Sequence, residues 1–244
     1  MSLPFKHSIR VALAASTAAL SLLLITACNR GPTPLYFPLE AGRSWTYELS
    51  ENNPLGSKTE RFEMSNGGAR ERNGERYYLR RNSLGSEYWL KLDDKNIVRT
   101  GLRTTVEFEP RDDAVPRTVM PIAPKLGDRW ESPSQPFILE RTEPFRERFL
   151  HHDSLRFTLA MTVTSIDEEV TVPAGTFQHC LKVEGEALIH VLADARIGAS
   201  EVVVKHTEWY APGIGLIKLK REEPLETTQI VGGEVTMELV GYGR

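Results

Sequence analysis

Histidine and cysteine are the residues of this 244-residue chain best suited to acid–base, metal or nucleophilic chemistry. His151-His152-Asp153 is the only cluster. Adjacent side chains on a strand point to opposite faces, so these imidazoles reach one metal only from a loop. A solvated turn is the simpler reading. His190 and His206 fall in strand-like runs and suit a rim position or a cross-strand pair. Cys180 follows His179, but on a strand the two face apart, which predicts a buried, inert thiol rather than a nucleophile. No G-x-S-x-G, S-x-x-K, H-E-x-x-H or C-x-x-C motif occurs. Asp167-Glu168-Glu169 and Arg221-Glu222-Glu223 read as solvated turn charges, not as an acid/base pair. The mixed-sign run 140–148 reads as a solvated edge or loop. These residues assign no catalytic group, no metal ligand and no cofactor.

The second cysteine has a different context. Lys6, His7 and Arg10 form a basic start, and residues 11–27 carry no charge and include Leu22-Leu23-Leu24-Ile25. This is the pattern of a secretory signal peptide, too short for an ordinary membrane-spanning helix. Ile25-Thr26-Ala27-Cys28 resembles the bacterial lipobox. The resemblance implies a diacylglyceryl thioether on Cys28, cleavage between Ala27 and Cys28, and acylation of the new amine. Acyl chains on Cys28 would hold the protein to a membrane, because stable anchoring takes two chains at about 0.8 kcal/mol per buried CH₂. Asn29 stands where an Asp would signal inner-membrane retention, so a Gram-negative setting favours the periplasmic face of the outer membrane.

The elements that must carry these residues are strands. Formal charge is −3, and −5 on the 217 residues from Cys28, so there is no general basic surface for nucleic acid. No window after Cys28 sustains helical periodicity. Period-two runs begin at Ser44 and Arg156, and β-branched or aromatic runs cover 202–210, 216–220 and 229–240. Asn73-Gly74 and Asp93-Asp94-Lys95-Asn96 read as hairpin turns. The proline-interrupted stretch 107–124 reads as a connection. The fold expected is all-β: an antiparallel curved sheet, half-barrel or sandwich of about ten to thirteen strands. The organisation expected is a signal peptide over 1–27, a lipidated cysteine and Pro-rich tether over 28–38, and a single β domain over 39–244. Pro38-Leu39…Gly42…Trp45 is echoed by Pro124…Gly127…Trp130. The echo reads as a recurrent strand-opening turn or as a duplication, with sheet halves beginning near Trp45 and Trp130.

Val170-Thr171-Val172-Pro173-Ala174-Gly175-Thr176-Phe177, then Cys180-Leu181-Lys182-Val183, then Trp209-Tyr210-Ala211-Pro212-Gly213-Ile214-Gly215-Leu216-Ile217-Lys218 complete a larger pattern. With the stretch around Trp45, it resembles that of uncharacterised bacterial exported proteins and lipoproteins. That group brings no assigned activity. The function expected is a non-enzymatic, lipid-anchored envelope lipoprotein that binds an apolar ligand or a protein partner on a sheet face. The alternative is an exported hydrolase or metal-dependent enzyme drawing His, Asp or Glu from separate strands. A structural assembly subunit is a third class, marked by an exposed apolar patch.

Overall fold

The computed structural model describes residues 35–142, 144, 146–151, 155–194 and 198–243. Ala27, Cys28, His152 and Asp153 lie outside them, as does the side chain of His151. The strands are β1 (Ser44–Asn53), β2 (Gly56–Arg72), β3 (Glu75–Asn82), β4 (Glu87–Leu92), β5 (Asn96–Arg103), β6 (Arg111–Pro121), β7 (Arg129–Ser134), β8 (Glu140–Arg141), β9 (Glu147–Arg148), β10 (Phe157–Val172), β11 (Gly175–Asp194), β12 (Gly198–Ala211), β13 (Gly215–Glu226) and β14 (Ile230–Gly243). Twelve of them form one antiparallel sheet in the order β6-β5-β4-β3-β2-β1-β14-β13-β12-β11-β10-β7. The two-residue β8 and β9 are added beside β14.

Alternation sets which side chains point inward. Along β10, Leu159, Met161 and Val163 are buried while Ala160 and Thr164 are exposed. Along β12 the buried set is Val202, Val204, His206, Glu208 and Tyr210. The sheet curls until β6 and β7 face each other, a barrel nearly closed. No ladder joins these two edges; instead Arg117 Nε on β6 donates to Ser132 Oγ on β7 at 3.0 Å. Pro116 and Pro133 remove backbone donors from the two edges, which suits a seam held by side chains. The stretch expected as a connection over 107–124 therefore contains a strand, β6. Its prolines are tolerated because an edge strand can spare the missing N–H.

The echoed turn has one mechanism in both places. Gly42 and Gly127 have φ of 82° and 84°. Each donates its N–H to another segment, Gly42 to Asn66 O at 3.0 Å and Gly127 to Val163 O at 2.9 Å. Trp45 and Trp130 follow three residues later as the second residues of β1 and β7.

Successive hairpins alternate between the two ends of the barrel. The chain enters β1 at the end that carries the turns at 73–74, 93–95, 122–128, 173–174 and 212–214. The other end carries the turns at 54–55, 83–86, 104–110 and 227–229 and the described residues between β7 and β10. Each end is filled by the chain itself. Phe37 and Leu39 enter the main core beside Tyr210 at the first end, and Leu139 and Phe149 enter it at the second. The tip of the β10–β11 hairpin reaches across to β14, where Ala174 N donates to Leu239 O at 2.9 Å. A second apolar cluster of Trp45, Tyr47, Val170, Val172, Cys180, Ile217 and Leu239 forms there.

Candidate functional site

The inner face holds more charge than its strands announced. Arg221 and Glu223 are fully buried and paired, Nε to Oε1 at 2.9 Å. The Glu223 carboxylate also accepts from the backbone N–H groups of Phe137, Ile138 and Leu139 at 2.8, 3.0 and 3.2 Å. It thus ties the segment that fills the far end to β13. The Arg221 guanidinium lies 4.7 Å from the Phe137 ring centre and 5.3 Å from that of Phe157. These two residues were expected to be solvated turn charges; they are the interior anchor of the far end. Glu140, in a run expected to be solvated, is likewise buried and accepts from Arg146.

A neighbouring chain links His206 Nε2, Glu208 Oε1 at 3.0 Å, and Tyr210 Oη, which donates to Glu208 Oε2 at 2.7 Å. Burial alone would raise the Glu208 carboxyl. The pull of His206, the Tyr210 hydroxyl and Arg117 outweighs burial and holds it below the usual range. Burial, with Glu208 beside it, pushes the Tyr210 phenol well above its ordinary value. Trp130 Nε1, His206 Nδ1 and Arg221 Nη1 are buried with no hydrogen-bond partner among the described residues, and His206 and Arg221 are direct cross-strand neighbours. At the other end Arg80 is a buried cation, pushed down to about 10 by burial. It lies 3.9 Å from the Phe37 ring centre and 4.8 Å from the Trp45 ring, and donates to Pro38 O at 2.8 Å.

The outer face offers the open site. A concavity of about 770 Å³ lies over β7, β10, β11, β12 and β13. Its walls are outward positions of two cross-strand rows, and Trp130, Met161, Gly185 and His206 of the row between them add to the lining. One row runs Glu131, Ala160, Glu186, Lys205, Glu222. The next runs Arg129, Thr162, Glu184, Thr207, with Lys220 continuing the register outside the lining. Lys182 holds Glu184 at 2.9 Å, and its hydrogen bond draws that carboxyl below the usual range. Lys220 bridges Glu222 and Glu234 at 3.2 and 2.9 Å. Among the described residues, Glu131, Glu186 and Lys205 enter no ion pair. The groove is of mixed polar and apolar lining, its charged side chains are richer in carboxylates than in cations, and it is open to an extended segment.

The histidines and cysteine expected from the sequence go to separate places. His190 is exposed on the outer face of β11, 3.2 Å from Glu201. His206 is buried, not at a rim, and faces the other side of the sheet, so the two do not pair. His179 has φ of 56°, a left-handed conformation at a bulge in the β10–β11 pairing. This lets Cys180 and Leu181 both be buried where strict alternation allows only one. Burial pushes the Cys180 thiol up to about 11, with the Glu168 carboxylate adding to the rise, which suits the inert role expected of it. The His179 ring pairs with exposed Asp167 at 2.6 Å. The groove was not anticipated. Its glutamates look like scattered solvated charges until strand register aligns them.

No known protein family matches the chain, and no curated protein matches it. Two solved structures do. One is a protein of Parabacteroides distasonis described as a lipoprotein, with 12% identity, TM-score 0.42, and coverage of 87% of this chain and 100% of that one. The other is described as an exported protein with a YmcC-like fold from Bacteroides fragilis, with 14% identity, TM-score 0.42, and coverage of 86% and 100%.

Proposed function

We propose that this protein is a lipid-anchored lipoprotein of the bacterial envelope that binds a protein partner along the outer face of β7 and β10–β13. Ile25-Thr26-Ala27-Cys28 supports the anchor, through acylation of Cys28. The observation that carries the binding reading is the location of the open space. The barrel interior is occupied by its own apolar and charged side chains and stoppered at both ends, while the 770 Å³ concavity is outside. An apolar ligand would have to displace this core; a polar extended segment need displace nothing. The outward rows of Glu, Lys and Arg are also the reverse of the apolar-out pattern of a membrane-spanning barrel.

Four glutamates against Arg129 and Lys205 favour a partner segment carrying Lys or Arg. The acid–base groups of His206, Glu208 and Tyr210 are buried and serve as interior scaffold. A photo-crosslinking residue at Ala160, at the centre of one row, tests the reading in cells. Discrete adducts are expected, and they should be lost when Glu186 and Glu222 are changed to Lys in a protein that still folds. Equal crosslinking with and without those reversals, or none from Ala160, would refute the groove as the docking face.

A further inference from the structure

The barrel end at which the chain enters carries uncovered apolar side chains close to one another. Leu35 is 55% exposed, Tyr242 53% and Ile166 45%. Leu35 O accepts from Gly213 N at 2.8 Å. Trp45, the cross-strand partner of Tyr242, donates to Ile214 O at 2.8 Å. The Tyr242 ring meets that of Phe177, centroids 6.1 Å apart. The Tyr36 hydroxyl donates to His179 O, and the His179 ring pairs with Asp167, the residue after Ile166. Nearby, Trp209 lies between the ammonium groups of Lys182 and Lys218, at 5.9 and 5.8 Å. Exposed aliphatic groups among Tyr and Trp flanked by Lys are the side chains that favour a bilayer's headgroup layer.

Chain length restricts what this end can meet. Six residues, seven Cα steps, separate Cys28 from Leu35, at most about 25 Å when fully extended. We propose that this end rests on the bilayer that holds the Cys28 acyl chains, with Leu35, Ile166, Phe177 and Tyr242 at headgroup level. The proposal rests on the lipid-anchor reading above. Asp167, Glu168 and Glu169 beside the patch oppose an anionic surface, so the headgroups it suits are zwitterionic. Binding by this end leaves the groove strands standing away from the membrane. The exposed Leu84, Val106 and Phe108 sit at the opposite end and supply a control.

The test uses the acylated protein in vesicles of phosphatidylcholine and phosphatidylethanolamine, with nitroxide labels on Tyr242→Cys and Phe108→Cys. Ile166→Cys provides a second near-end label if the Tyr242 variant does not fold. Flotation reports the anchor, and relaxation by oxygen against a water-soluble nickel chelate reports the contact. The near-end label is expected to be several-fold more protected from nickel than the Phe108 label. Floating protein whose near-end and far-end labels are equally open to nickel would overturn this proposal alone. Protein that does not float would overturn the anchor, and the proposal with it.

Discussion

Glu223 is asked to do more than any other side chain: it neutralises Arg221 and receives three backbone N–H groups from the segment that stops the far end. Removing it strands a buried guanidinium and three donors, so Glu223→Ala is expected to cost about 3–5 kcal/mol in chemical denaturation. The double variant Arg221→Met/Glu223→Leu should be milder, because no lone charge is then left in the interior. A double variant as unstable as the single one would show that the backbone contacts, not the charge, dominate. Glu208 sets a pH dependence. Its folded pKa lies below the ordinary value, so its contribution is complete above the unfolded pKa. That contribution is lost as pH falls through the lower folded value, below about pH 4. In urea melts at pH 3 to 7, Glu208→Gln should flatten this acid limb. An unchanged limb would assign the acid sensitivity elsewhere.

At the scale of elements, β13, β14 and β1 pass one another closely where β14 has two glycines. A Cβ on Gly232 would stand 1.7 Å from Glu223 O and 3.0 Å from Leu225 N, both backbone atoms that cannot swing away. Gly232→Ala should therefore destabilise by about 1–3 kcal/mol in thermal melts. Gly241 lies in the same strand with nothing within 4 Å, and Gly241→Ala should be close to neutral. Similar melting temperatures would contradict the close approach. The strands themselves were legible: period-two runs at Ser44 and Arg156 and the turns at Asn73 and Asp93 lie where the pattern put them. β6 was hidden because its prolines are penalised in a central strand but not at an edge. Arg221, Glu223 and His206 were misjudged for a related reason. Charge predicts exposure only when a partner is absent, and their partners come from residues 2 to 86 positions away. The groove was illegible because its rows exist only in the register of five strands.

For the whole molecule, the two faces of the sheet differ in kind. The sequence left open whether a sheet face binds an apolar ligand or a protein partner; the interior is packed and charged, and the outer surface holds a concavity flanked by carboxylates and lysines. One end receives the chain before β1 and exposes Leu35 and Tyr242, while the other exposes Val106 and Phe108. The proposed function ties this polarity to a membrane at the near end, which makes acylation of Cys28 the claim on which the account depends. The mass of the mature protein from bacterial membranes measures it directly. The account predicts a 217-residue chain beginning at Cys28 and carrying a diacylglyceryl group with an amide-linked acyl chain. A chain that retains residues 1–27, or one that begins elsewhere without lipid, would contradict it.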